Sequence, residues 1–263
     1  MILRELLEKL DHFHGANITR NWTVDTLKCG SPDMDVRRVA VTMFPTVEVI
    51  RRASAEGIQL LIAHEPIFYH DKETVDPADP VMSAKKALLE HSGLAVYRYH
   101  DHPHWMSPDL IDEGTIRAAG IPGKITGAPF WAVTVFEMDR PMSARVFAET
   151  MERNLHTRHI RIAGAMDGLG KRVVFACGTP GHITECLKND DYDFIVTGEV
   201  CEWEMAEYAR DFGALYGKKA LFVLGHEVSE RAGMQELVRL MQEAFPELRI
   251  SYLDSGDVYH FTD

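Results

Sequence analysis

A strand–helix–strand unit occurs twice in this chain, and that repeat constrains the fold more than any other feature. Arg38-Val39-Ala40-Val41 stands 134 residues before Arg172-Val173-Val174-Phe175. Ile62-Ala63-His64-Glu65 stands 134 residues before Val196-Thr197-Gly198-Glu199. Parallel α/β units resemble one another, but a constant offset through a strand, a helix and a second strand favours duplication over a shared module. A third strand follows in each copy. Residues 94–100 match residues 220–226 at an offset of 126, which sets His100 over His226 and His104 over Glu230.

The pattern predicts strands over 36–42, 58–63 and 94–99, and again over 171–176, 194–197 and 220–224. Helices are predicted between them and at 3–14, 109–119, 143–155 and 231–245. Further strands are predicted at 130–138, 159–163 and 249–253. Residues 15–35 and 70–80 read as irregular, Gly178-Thr179-Pro180-Gly181 as a tight turn, and 123–129 as a connector. Strands joined through a helix run parallel. The expected fold is therefore α/β: two similar, duplicated α/β domains with mixed, largely parallel sheets and a metal site in the crevice between them. The first half is expected at residues 1–127 and the second at 128–263, with the last strands and C-terminal helix free to pack on the first half. A chain of 263 residues, 46% apolar, can bury cores of that size.

The net charge of -12 argues against a general nucleic-acid binder, which neutralises phosphates with a basic patch. No apolar run approaches the roughly 18 residues of a membrane span. The first fourteen residues mix charge with leucine and lack the layout of a signal peptide. Four cysteines without close spacing suit a reduced, cytoplasmic setting, with the thiols as ordinary buried residues. Trp105, Trp131 and Trp203 read as packing residues.

The chemistry lies at the predicted strand ends. Leu60-Leu61-Ile62-Ala63 runs into His64-Glu65, and Pro66 ends the run. Side chains alternate across a strand, so two adjacent ligands need an irregular tip, which proline helps to force. The strand over 94–99 runs into His100-Asp101-His102-Pro103-His104, and the strand over 220–224 into His226 and Glu230. Imidazole with carboxylate suits divalent Zn, Mn, Fe or Ni. Five candidate ligands, His64, Glu65, His104, His226 and Glu230, exceed the needs of one tetrahedral ion and suit two. Glu199 reads as a surface residue, an outer acid or a general base.

Together these residues resemble the NGG-interacting-factor-three-like family, whose bacterial members are often labelled GTP cyclohydrolase I type 2 homologues. The resemblance covers nearly the whole chain. It rests on Thr42 to Thr46, on His64-Glu65-Pro66 where the family has His-His-Pro, and on Tyr97 to His104. It continues through Gly178 to Gly181, Thr197-Gly198-Glu199, and Gly225-His226 through Glu230. It implies two similar α/β domains, a dinuclear metal site and a ring-shaped homohexamer. His64, Glu65, His104, His226 and Glu230 then occupy the ligand positions. Two positions depart from the pattern: Glu65 replaces a histidine, and His104 replaces an aspartate. The exchange preserves ligand charge, and Asp101 or His102 stands in reserve if His104 does not ligate. The implied function is a metal-dependent hydrolase acting on a small molecule, with Glu199 or His100 handling the proton. The alternative is a non-catalytic metal-binding, metal-insertion or regulatory protein.

Overall fold

The computed structural model describes residues 1–13, 22–179 and 181–262. Pro180, in the turn expected after residue 177, and residues 14–21 of the expected irregular segment lie outside that range, as does the last residue of the expected first helix. The fold is mixed α/β with two sheets, divided into two compact units. Unit 1 comprises 1–107 and 234–256; unit 2 comprises 108–233 and 257–263. Among the described residues no helix is long and apolar enough to cross a membrane.

Unit 1 contains helix α1 (Leu3–Leu10), strands β1 (Leu27–Cys29) and β2 (Arg38–Thr42), helix α2 (Val47–Ala55), strand β3 (Leu60–Ala63), helix α3 (Pro80–Ser92), strand β4 (Ala95–Arg98) and helix α4 (Asp101–Trp105). Its five-stranded sheet is closed by a strand from the far end of the chain, Arg249–Tyr252, which is β11 below. The order is β1-β4-β3-β2-β11, parallel throughout except for β1. β3 is central and buried at all four residues, as an unbroken apolar run requires when both faces of a strand are covered. α2 begins where the Thr46 side chain accepts from the Val49 amide, and α3 where Asp79 accepts from Val81 and Met82. Their apolar faces, Val49, Ile50, Ala53 and Leu89, join Ala40, Leu61, Ala63 and Val96 in one core.

Unit 2 contains α5 (Leu110–Ala119), β5 (Gly123–Phe130), β6 (Val133–Ser143), α6 (Ala144–Asn154), β7 (Arg161–Gly164), β8 (Leu169–Ala176), α7 (Ile183–Lys188) and β9 (Phe194–Thr197). A π-helical turn, Glu202–Ala206, leads into α8 (Glu207–Tyr216), followed by β10 (Ala220–Val223). Helix α9 (His226–Ala244) begins in unit 2 and continues in the residues of unit 1. The six-stranded sheet has the order β5-β6-β8-β9-β10-β7, with β8, β9 and β10 parallel. The unit begins at residue 108, twenty residues before the boundary at 127/128, because α5 packs on β6 and α6 and because β5 pairs with β6. Ile116, Ala119, Phe136 and Phe147 share one core with Phe175 and Phe222.

The repeat is visible in strand pairing. Val39 pairs with Leu60 as Val173 pairs with Phe194, both at the offset of 134. The third strand differs. Leu60 pairs with Ala95 and Phe194 with Ala220, so β4 and β10 correspond at 125 rather than 126. The amides of Tyr99 and Leu224 confirm it, bonding to the carbonyls of Ala63 and Thr197. In this register Asp101 matches His226, and both open a helix. His104 then matches Ser229, not Glu230. The offset of 126 is one residue out because two like histidines are more conspicuous in sequence than the pairing of two apolar strands.

Four local expectations also change. β1 lies in a segment read as irregular, and β5 in one read as a connector. α4 was not expected, and α9 starts at His226 rather than near residue 231. Trp105 packs and Trp131 is 36% exposed, but Trp203 is 78% exposed, so the packing role expected for Trp203 does not hold.

Candidate functional site

The C-terminal ends of the parallel strands carry the titratable side chains in each unit, as expected of open α/β sheets. In unit 1 the ladder continues past β3: the His64 amide bonds to the Thr42 carbonyl and the Glu65 amide to Met43. This continuation presents His64 and Glu65 beyond the sheet. His64 Nδ1 lies 3.2 Å from the Tyr99 carbonyl oxygen, which can only accept. Nδ1 of neutral His64 therefore carries the proton and Nε2 keeps the lone pair, the tautomer a metal ligand needs.

α4 brings two more imidazoles to the same place. Its first-turn amides would be without intrahelical partners. Asp25 answers them: one carboxylate oxygen accepts from the amides of His100 (2.7 Å) and Asp101 (2.9 Å). The other accepts from the amide of His102 (2.8 Å) and from its Nδ1 (2.6 Å). The next residue is Pro103, which has no N–H to satisfy. His102 stacks on Tyr99 with ring centroids 5.4 Å apart, so its role is to hold the helix. Asp101 is likewise committed, accepting from Thr23 Oγ1, the Val24 amide and His100 Nδ1. Burial raises the pKa of Asp101, but the hydrogen bonds from His100, Val24 and Thr23 prevail and hold it well below the usual carboxylate range.

His64, His100 and His104 then face one another. Ring centroids are 4.5 Å apart for His64 and His100, 5.3 Å for His64 and His104, and 5.2 Å for His100 and His104. One ring nitrogen from each lies within 4.8 Å of the others, a group able to hold a metal ion. Glu65 approaches the same group, with Oε1 4.0 Å from His100 Nε2. Of the candidates in the segment 100–104, the cluster contains His100 and His104. Asp101 and His102 are turned to Thr23 and Asp25.

In unit 2 the tips of β8, β9 and β10 are stitched together. The Gly178 carbonyl accepts from the amides of both Gly198 and Glu199, and the Gly225 amide bonds to Gly198. Ser229 Oγ accepts from the Gly178 amide and donates to the His226 carbonyl. His226 lies between two carboxylates, Nδ1 at 2.6 Å from Glu199 and Nε2 at 3.1 Å from Glu230. The i,i+4 spacing that puts His226 and Glu230 on one helical face is met because α9 begins at His226. Gly178 has a φ of 69°, and a Cβ there would overlap the Glu230 carboxylate and lie 3.3 Å from His226 Nε2. The glycine leaves the room that the carboxylate fills.

Asp25 carries no signal in the sequence, and Gly178 reads there only as part of a turn. Asp25 acts at a distance of 75 residues, which no local pattern reports. The turn points to a glycine at 178, but its fit against the Glu230 carboxylate depends on a residue 52 positions away.

A family model described as Duf34/NIF3 (NGG1p interacting factor 3) matches residues 1–103 and 130–255. A protein of Clostridium perfringens (strain 13 / Type A) named GTP cyclohydrolase 1 type 2 homolog is 18% identical, covering 79% of this chain and 81% of its own. Among solved structures, protein ybgI, described as of unknown function, superposes with a TM-score of 0.81 at 18% identity, over 98% of this chain and 100% of its own. Staphylococcus aureus protein SA1388 gives a TM-score of 0.78 at 18% identity, covering 99% of both chains. At these identities the solved structures show a shared fold.

Proposed function

This chain belongs to the Duf34/NIF3 family, and on that premise we propose that it is a divalent-metal-binding protein of hydrolase type acting on a small molecule. The observation that carries the reading is the trio His64, His100 and His104, three imidazoles whose donor nitrogens lie within 4.8 Å of one another. The donor set fits a first-row divalent ion, since imidazole with carboxylate and no thiolate suits zinc, manganese, iron or nickel. His64, Glu65, His104, His226 and Glu230 are assigned as ligands, for two ions per chain.

His100 joins that set. Its Nδ1 faces the ionised Asp101 at 3.1 Å, leaving Nε2 toward the cluster. His226 repeats the arrangement, with Nδ1 on Glu199. A carboxylate on the far nitrogen of a ligating histidine fixes its tautomer and raises its basicity. This favours ligation for His100 over the proton-shuttle role expected for it. Glu199, with its side chain 54% exposed, orients His226 and remains the group within reach of a substrate proton. A bound divalent ion supplies a Lewis acid and lowers the pKa of a water it holds.

The cyclohydrolase name comes from relatives 18–20% identical, and we carry over from it only small-molecule hydrolysis. The test is turnover by the metal-loaded protein against nucleotides, cyclic amides and phosphoesters. Hydrolysis lost in Glu199→Gln at metal concentrations high enough to saturate the variant supports the reading. No turnover with any metal favours a binding protein without catalysis.

A further inference from the structure

Glu65 is a carboxylate placed among imidazoles, its side chain 11% exposed. A carboxylate that buried is costly unless a charge of opposite sign faces it. Arg98, on the neighbouring strand β4, supplies that charge. Its side chain is 3% exposed, and Nη2 lies 3.9 Å from Glu65 Oε2. The guanidinium is itself fastened: Nε donates to the His64 carbonyl at 3.3 Å, and Nη2 to Asp71 at 3.1 Å. Arginine does not lose its proton in proteins, so this charge is independent of pH and of any bound ion. The two oxygens of Glu65 are thus differentiated. Oε2 faces the guanidinium, and Oε1 faces His100 Nε2 at 4.0 Å.

We propose that Arg98 is a positioning residue, which fixes Glu65 with one oxygen turned to the imidazole cluster and so pre-forms the carboxylate arm of the site. The proposal rests on the divalent-cation reading of that cluster. Arg98 binds both the backbone of His64 and the side chain next to it, so it fixes the two residues of the strand tip relative to each other. A lysine would bring the charge without the fork that reaches both groups. Asp71, 81% exposed, is an outer partner of the guanidinium and makes no part of the cluster.

The test is a double-mutant cycle read by calorimetric titration with Co²⁺, with the visible spectrum of bound Co²⁺ as the second readout. Arg98→Gln is expected to weaken Co²⁺ binding about tenfold, the low end for loss of a partner that orients a ligand. With Glu65→Gln already present, the same change is expected to cost less than about threefold, because the two side chains act as a unit. The cobalt spectrum is expected to shift in Arg98→Gln and not further in the double variant. Equal losses in the two backgrounds would overturn the proposal, since Arg98 would then act only on the backbone. So would an unchanged affinity. If Arg98→Gln does not fold, Arg98→Lys takes its place in the cycle: it keeps the buried charge, and unequal losses in the two backgrounds support the proposal while equal losses overturn it. Absence of Co²⁺ binding by the wild-type protein would remove the divalent-cation reading and the proposal together; failure of the cycle alone leaves the reading standing.

Discussion

Asp25 offers the sharpest test of how unit 1 builds its cluster. Its carboxylate accepts four hydrogen bonds, three from backbone amides at the start of α4 and one from His102 Nδ1. Asp25→Ala leaves four donors to find other partners, each costing about 1–3 kcal/mol if it stays buried and unpaired. Water entering the vacated space would recover part of that, so the expected loss is about 3–5 kcal/mol, as for removing one member of a buried charged network. At about 2–4 °C per kcal/mol for a protein of this size, the melting temperature should fall by roughly 10 °C. Asp25→Asn keeps one accepting oxygen and should lose about half as much. α4 carries His100 and His104, so metal binding should weaken in parallel. Thermal melts followed by circular dichroism, paired with zinc titrations, read both effects. A melting temperature for Asp25→Ala within about 2 °C of wild type would refute the reasoning, because these four hydrogen bonds cannot then be holding the helix.

Other outcomes follow from the same geometry. Gly178→Ala must adopt a φ of 69° and displace the Glu230 carboxylate, so a loss of about 1–3 kcal/mol with weakened zinc binding is expected in denaturant melts and titrations. Glu199→Gln should weaken zinc binding about 10- to 100-fold at unchanged melting temperature, since the half-exposed carboxylate orients His226 without supporting a core; unchanged affinity would contradict this. Burial lowers the pKa of Lys85 to about 8, while its ammonium donates to the Ile67 carbonyl at 2.6 Å. The unfolded chain, with a lysine pKa of about 10.4, then binds the extra proton between those values, so stability rises with pH across that window and levels off at its lower value below pH 8. Urea melts of wild type and Lys85→Met from pH 7.5 to 10 should show that rise in wild type and lack it in the variant.

The parallel strands were legible because burial on both faces demands unbroken apolar runs, and residues 60–63 and 194–196 meet that demand in sequence. β5 was not, because Gly123–Phe130 is largely exposed and contains glycine and proline; its partner β6 makes it a strand. β1, three half-buried residues on a sheet edge, failed for the same reason. The strand-end histidines could be found because residue type and position along the chain both marked them. Their arrangement could not. The one-residue difference between β4 and β10 is set by strand pairing, which depends on neighbours far away in sequence. Asp25 and Arg98 look like ordinary charged residues until the segments 75 and 34 residues away are in place.

Metal content measures the central claim most directly. Wild type, His64→Ala and His226→Ala would be loaded with zinc, dialysed, and analysed by elemental mass spectrometry alongside thermal melts. The account expects two divalent ions per chain in wild type, and loss of at least one in each variant while the fold is retained. Wild-type protein that retains no metal, or folded variants with undiminished content, would contradict it.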